Sequence, residues 1–89
     1  MRRSKIEAHI AILQTLADSR KLITTHISYN TYLNSSSVNK CLCSLLACNL
    51  VQELNEKRKR KTYAITEKGI NVLEIARKID NSLHVFNVS

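Results

Sequence analysis

Three thiols and three imidazoles carry most of the chemical potential in this 89-residue chain. Cys41, Cys43 and Cys48 crowd into one short stretch, a pattern that invites zinc ligation or thiol redox chemistry. On a helix, however, Cys41 and Cys48 would stand about 10.5 Å apart along the axis and Cys43 would point about 200° away from Cys41. The three cannot converge on one tetrahedral ion, and His26 and His84 have no ligand spacing relative to them. No metal is expected. An odd, clustered set of cysteines is also unlike the framework of a secreted disulfide domain, which points to an intracellular setting. Cys41 and Cys48 are expected to be small core residues and Cys43 an exposed thiol open to oxidation. His9 and His26 are read as packed or surface residues. No Ser, His and acid arrangement, Gly-rich phosphate loop or carboxylate pair is discernible. A 10.1 kDa chain also has little material for a substrate cleft. An enzyme, a cofactor and a small-molecule substrate are therefore not expected.

The basic residues are the second candidate chemistry. Fourteen Lys and Arg against seven Asp and Glu give a formal charge of +7. Lys57, Arg58, Lys59, Arg60 and Lys61 form an uninterrupted run, and Arg2, Arg3 and Lys5 cluster at the amino terminus. Without those eight, six basic residues remain against the seven acidic ones, so the body is nearly neutral. The positive field comes from two patches that can face one polyanion, nucleic acid before an anionic membrane. The basic run is not itself amphipathic, and no segment approaches the roughly 18–20 apolar residues of a membrane span. Met1 to Ala17 imitates a signal peptide, but Glu7, His9 and Gln14 interrupt its apolar stretch. A soluble, cytoplasmic, nucleoid-associated protein without a membrane partner is the expectation.

The elements that must position these patches can be read from periodicity. Ser4 to Ala17 predicts a first helix, with Ile6, Ile10, Leu13 and Ala17 as its apolar repeat and Ser4 and Glu7 as a capping box. Asp18 to Lys21 is a polar break. Thr25 to Tyr32 predicts a short second helix capped by Thr24, burying Ile27, one of Tyr29 or Tyr32, and Leu33. A third helix spans Ser35 to Cys48 behind an Asn34 or Ser35 cap, with Val38, Cys41, Leu42, Leu45 and Leu46 on one stripe. Asn49 stands where a left-handed residue ends such a helix. Leu50 to Leu54 and Thr62 to Ile65 predict two strands, and the basic run falls at the tip between them. Thr66 can cap a fourth helix, with Ile70, Leu73 and Ala76 on one ridge and Val72, Ile75 and Ile79 on another. Gly69 in its first turn signals close packing or tolerance. Residues 1–80 then make one domain including this helix, and 81–89 a tail or helix extension.

Three helices, a two-stranded wing and a closing helix make a mainly α, winged helix-turn-helix fold. Several segments also carry a resemblance. Arg2-Arg3-Ser4-Lys5-Ile6-Glu7, Thr25-His26-Ile27-Ser28-Tyr29, Leu42 with Leu45-Leu46, Asn49-Leu50-Val51 and Tyr63-Ala64-Ile65-Thr66-Glu67-Lys68-Gly69 resemble small archaeal winged-helix DNA-binding proteins and transcriptional regulators. The likeness runs from Arg2 to Ile79. It departs from the usual pattern at Asn49, where such proteins commonly have Gly, and Asn suits the same turn.

The resemblance implies a transcriptional regulator or small chromatin-associated protein with double-stranded DNA as partner, the third helix in the major groove and the wing on the backbone or an adjacent groove. At ~100° per residue, the side of that helix opposite Val38, Leu42 and Leu45 carries Ser36, Lys40, Cys43 and Ser44, flanked by Ser37 and Asn39. Direct base readout is expected to be modest, from Asn39 or Lys40. Lys57, Arg58, Lys59, Arg60 and Lys61 are expected on phosphates from the wing, and Arg2, Arg3 and Lys5 from an amino-terminal arm. Val72, Ile75 and Ile79, continued by Leu83 and Phe86, are the candidate seam of a homodimer. An RNA-associated or protein-interaction module is the alternative, because winged helices serve those roles too.

Overall fold

The computed structural model describes residues 5–19, 21–55 and 61–87, with side-chain surroundings for 6–19, 21–54 and 61–79. Within these, four helices and a two-stranded antiparallel hairpin follow one another as α1 (Lys5–Asp18), α2 (Thr24–Thr31), α3 (Ser35–Ala47), β1 (Val51–Asn55), β2 (Lys61–Ile65) and α4 (Glu67–Asn87). This is the expected mainly helical, winged arrangement.

Helix α3 forms where the sequence signals were most consistent. Asn34 sits in extended backbone and its side-chain oxygen accepts from Ser37 N–H at 2.8 Å, satisfying one of the donors that a helix start leaves open. Val38, Cys41, Leu42 and Leu45 are buried and Leu46 packs beside them, as the spacing predicts. The helix ends in a Schellman motif. Asn49 takes φ 60°, its N–H donates to Leu46 O at 3.0 Å, and Leu50 N–H donates to Leu45 O at 2.9 Å. Asparagine tolerates the left-handed region better than most residues, so the turn does not need glycine. Cys48, expected in the core, is exposed, because it lies on the helix's last turn beyond the stripe that faces the other elements.

Helix α1 presents a different face from the one expected. Its buried residues are Ala8, Ile12, Leu13 and Leu16, whereas Ile6 and Ala17 are exposed and Ile10 is only half-buried. The helix touches α2, α3, α4 and β2, so its inward side is chosen by three surrounding helices and not by one. Apolar residues stand nearly all round it, and periodicity alone could not pick among them.

Helix α2 has the least apolar anchorage, with Ile27 as its one wholly buried aliphatic side chain, a contribution of about 2–3 kcal/mol. Its other buried residue is Thr31, whose hydroxyl donates to Ile27 O at 2.8 Å and accepts from Leu33 N–H. Ser28 Oγ closes the same corner by donating to Leu33 O. No side-chain cap stands at its start, because Thr24 is already inside the helix and Ile23 precedes it. Neither Tyr29 nor Tyr32 is buried, contrary to expectation.

The hairpin pairs Val51 with Ile65 through Asn55 with Lys61. A third edge, invisible in the sequence, is a one-residue bridge in which Leu22 and Tyr63 exchange both backbone hydrogen bonds, at 3.0 and 2.8 Å. It fastens the α1–α2 connection to β2 and helps bury Tyr63 in the core.

Helix α4 begins as expected. Thr66 Oγ1 accepts from Gly69 N–H at 3.0 Å and donates to Asn49 O at 2.7 Å, so one hydroxyl caps α4 and ties it to the end of α3. Gly69 is required by close packing. A Cβ there would fall far inside van der Waals contact with the Leu50 carbonyl oxygen and 2.7 Å from Ile65 Cγ1. Leu73 is buried and Val72 packs against the core, while Ile70, expected on the buried ridge, is exposed. Arg77 Nε donates to Gln14 Oε1 at 3.0 Å, and Gln14 Nε2 in turn donates to Asp18 Oδ1 at 3.0 Å, linking α4 to α1 across exposed surface. The helix runs on to Asn87, through most of the segment expected as tail or extension.

Candidate nucleic-acid interface

The buried stripe of α3 fixes which of its residues meet solvent. Ser36, Asn39, Lys40, Cys43 and Ser44 are exposed on the side away from the core, and Ser37 is half-buried where its backbone is held by the Asn34 cap. These are the residues that helical geometry selected. They form a face of short hydroxyl, amide and thiol groups around a single ammonium, held rigid by four buried side chains behind it.

Electrostatically this half of the molecule has a simple composition. From Ser19 to Gln52 there is no Asp or Glu at all, while Arg20, Lys21 and Lys40 are basic. Of the seven carboxylates, Glu7, Asp18, Glu53, Glu67, Glu74 and Asp80 belong to α1, β1 and α4, and Glu56 lies outside the described residues. The α2–turn–α3 unit can therefore approach a polyanion without carboxylate repulsion. This signal was legible in the sequence as a gap in acidic residues.

In the hairpin, Lys61 lies on β2, not at the tip, and its Nζ is 3.5 Å from Glu53 Oε1, diagonally across the ladder from it because Lys61 itself faces Asn55. Both side chains are solvated, so the pair adds roughly 0–1 kcal/mol, but it partly neutralises one of the five clustered cations. Lys57, Arg58, Lys59 and Arg60 lie outside the described residues, as do Arg2 and Arg3; Lys5 opens α1. The β-ladder runs to the Asn55–Lys61 pair, so the basic run begins two residues after β1 and ends as the first residue of β2.

Two large aromatic groups, one of which was expected in the core, both stand in water. Tyr29 is 81% and Tyr32 91% exposed, one turn apart on α2 and at the turn that leads into α3. Tyr32 takes φ 60° and ψ 20°. Ile75 and Ile79 of α4 are 57% and 55% exposed, whereas Val72, expected on the same seam, packs onto the chain's own core. Leu83 and Phe86 lie on α4 beyond the described side chains. Cys43 and Cys48 are exposed and Cys41 is buried. Among the described residues, no three of His, Cys, Asp or Glu gather where a metal ion could be held, and no helix is long and apolar enough to cross a membrane.

The family described as winged helix-turn-helix matches residues 2–84. Among solved structures the chain is similar to MepR, a transcription regulator of the Staphylococcus aureus multidrug efflux pump MepA, with a TM-score of 0.80 at 19% identity over 91% of this chain and 62% of that one. It is also similar to Bordetella bronchiseptica BpsR, whose DNA binding is regulated by 6-hydroxynicotinic acid, with a TM-score of 0.74 at 20% identity over 84% of this chain and 58% of that one. The apo-Zalpha domain of zebrafish PKZ matches with a TM-score of 0.69 at 26% identity, over 73% of this chain and the whole of that domain. The chain thus spans about three fifths of the length of the two bacterial regulators. No curated protein matches it.

Proposed function

We infer that this chain, which belongs to the winged helix-turn-helix family, is a non-enzymatic transcriptional regulator that binds double-stranded DNA. The observation that carries the reading is the outward face of α3, where Ser36, Asn39, Lys40, Cys43 and Ser44 surround one cation within a stretch that holds no carboxylate. In this mechanism α3 enters the major groove. Asn39 and Lys40 reach base edges, and Ser36, Ser37 and Ser44 with Cys43 line the contact. The cap of α3 keeps that geometry from fraying, since Asn34 secures the end nearest the turn.

The wing supplies most of the affinity. Lys57, Arg58, Lys59, Arg60 and Lys61 engage phosphates beside the groove that α3 occupies, with Arg2, Arg3 and Lys5 as a second basic contact. Lys61 contributes less than its neighbours because Glu53 competes for it. The protein acts as a homodimer through α4, where Ile75 and Ile79 leave apolar surface in water and Leu83 and Phe86 fall on the same helical stripe. Two-fold symmetry then presents two α3 helices to half-sites about one helical turn apart. The likeness to MepR and BpsR supports a regulator of this kind.

The test is binding to duplex DNA as a function of salt. If about four to six basic residues reach phosphates, log affinity falls against log salt with a slope of roughly −4 to −5, and replacing Lys57 to Lys61 by Gln reduces that slope by about 3–4. An unchanged slope, or a preference for structured RNA over duplex DNA at equal salt, would overturn this function.

A further inference from the structure

The chain has three tyrosines and one phenylalanine, and only Tyr63 among the described aromatics is in the core. Tyr29 and Tyr32 are left almost wholly in water. Neither position repays folding: a ring at this exposure buries little apolar area. Tyr32 carries an added cost, since it occupies the left-handed region at φ 60°, where glycine or asparagine is intrinsically favoured and a large aromatic is rare. A residue that is strained and contributes no burial is a reason to look for a role outside the fold.

Its place suggests that role. Tyr32 is the residue at which α2 stops, and Leu33 and Asn34 alone separate it from the first turn of α3. Tyr29 lies one turn earlier, with the exposed Thr25, His26 and Asn30 on the same outward side of α2, opposite the buried Ile27 and Thr31. Every group on that side is neutral or can be cationic, because no carboxylate occurs between Asp18 and Glu53. The surface is therefore aromatic, rich in hydroxyl and amide donors, and free of anionic charge.

We propose that Tyr29 and Tyr32 form a neutral clamp on the DNA backbone, beside the major-groove face of α3. This rests on the DNA-binding reading above and extends it to α2. Each phenolic O–H donates to a phosphate oxygen while the ring covers the adjoining deoxyribose, a contact that fixes register without reading a base. The left-handed turn at Tyr32 throws its ring outward at the entrance to α3, so the strain is the means of presenting it. Being uncharged, the pair displaces no condensed counterions, and its contribution is independent of salt.

The experiment measures fluorescence anisotropy with a labelled mixed-sequence duplex about three helical turns long, across a salt series, for the full chain and its variants. Tyr29→Phe and Tyr32→Phe each weaken binding about 3- to 10-fold, the loss of one neutral hydrogen bond, and Tyr29→Ala with Tyr32→Ala weakens it about 10- to 100-fold. In all three the salt slope equals that of the wild type, whereas Lys59→Gln, at a cation assigned to a phosphate, lowers its magnitude by about 0.9. Tyr32→Gly separates binding from folding, because it relieves the left-handed strain. It melts no earlier than the wild type and still binds more weakly. If the wild type binds and the tyrosine variants match it, the clamp is refuted, while the wing and α3 reading stands. If the wild type itself fails to bind any duplex, the function on which the clamp depends falls and the clamp with it.

Discussion

Substitution of Gly69 by Ala opposes two effects whose sizes the structure can rank. In an open helix Ala would stabilise α4 by about 0.8–1.0 kcal/mol, because Gly is among the poorest helix formers. Here the added methyl would overlap the Leu50 carbonyl oxygen and lie 2.7 Å from Ile65 Cγ1 and 3.1 Å from the Leu50 carbonyl carbon. The side-chain contact could relax by rotation of Ile65, but the backbone contact cannot. Leu50 is held by its own N–H to Leu45 O at 2.9 Å, and its carbonyl accepts from Thr66 N–H at 3.1 Å. Relief requires α4 to withdraw, which strains the Thr66 cap and weakens that backbone hydrogen bond. Overpacking of this kind costs about 1–3 kcal/mol or more, and a lost hydrogen bond about 0.5–1.5 kcal/mol. Against the propensity gain the net is a destabilisation of about 0.5–3.5 kcal/mol. For a domain of this size that lowers Tm by about 3–20 °C, against a total stability near 5–13 kcal/mol. Thermal unfolding followed by circular dichroism at fixed protein concentration measures it. A Gly69→Ala protein that melts higher than the wild type would refute the close seat of α4 on the α3–β1 junction.

Two further outcomes test other joints. Thr66→Ala removes the hydroxyl that caps Gly69 N–H and donates to Asn49 O, and is expected to cost about 1–2 kcal/mol in denaturant unfolding with an unchanged m-value. Ile75→Glu with Ile79→Glu places charge on exposed apolar positions and leaves Tm of the monomer nearly unaltered, while sedimentation shifts from dimer to monomer. A wild-type chain that sediments as a monomer at micromolar concentration would remove α4 as a dimer seam.

Much of the architecture was legible because several local signals agreed. In α3 the apolar spacing, the Asn34 cap and the left-handed Asn49 all specify one helix in one rotation, and the outward residues follow from the inward ones. Thr66 and the strand pattern did the same for the hairpin-to-α4 junction. Elsewhere the signals were degenerate. α1 carries Ile6, Ala8, Ile10, Ala11, Ile12, Leu13, Leu16 and Ala17 almost all round, so its buried side was decided by the packing of three other helices. The Leu22 bridge to Tyr63 is one residue long and leaves no periodicity to read. One of Tyr29 and Tyr32 was expected to be buried because residue type suggests it, but Tyr29 lies on the side of α2 opposite Ile27 and Thr31, and Tyr32 is the left-handed stop of the helix, which tyrosine does not announce. The clue that did exist was an absence, the missing carboxylates between Asp18 and Glu53.

That absence also separates the two modes by which the protein would hold DNA. The net charge of +7 is not a uniform coat: five cations stand in the run at the wing, and the α2–α3 unit faces outward mainly with neutral donors. Cationic contacts lose strength as salt rises, because the gain from counterion release shrinks, whereas hydrogen bonds from Tyr, Ser and Asn do not depend on that release. On the proposed function, the wing would therefore set how strongly any duplex is held, and α2 with α3 would set where the protein comes to rest. The two contributions belong to different elements joined by the β1–α3 junction at Asn49 and Leu50, the same backbone against which Gly69 and Thr66 seat α4. A small displacement there would move the wing relative to α3 without altering either surface. On the proposed function, the rigidity of that junction is thus the condition under which α3 and the wing would act on one duplex at once.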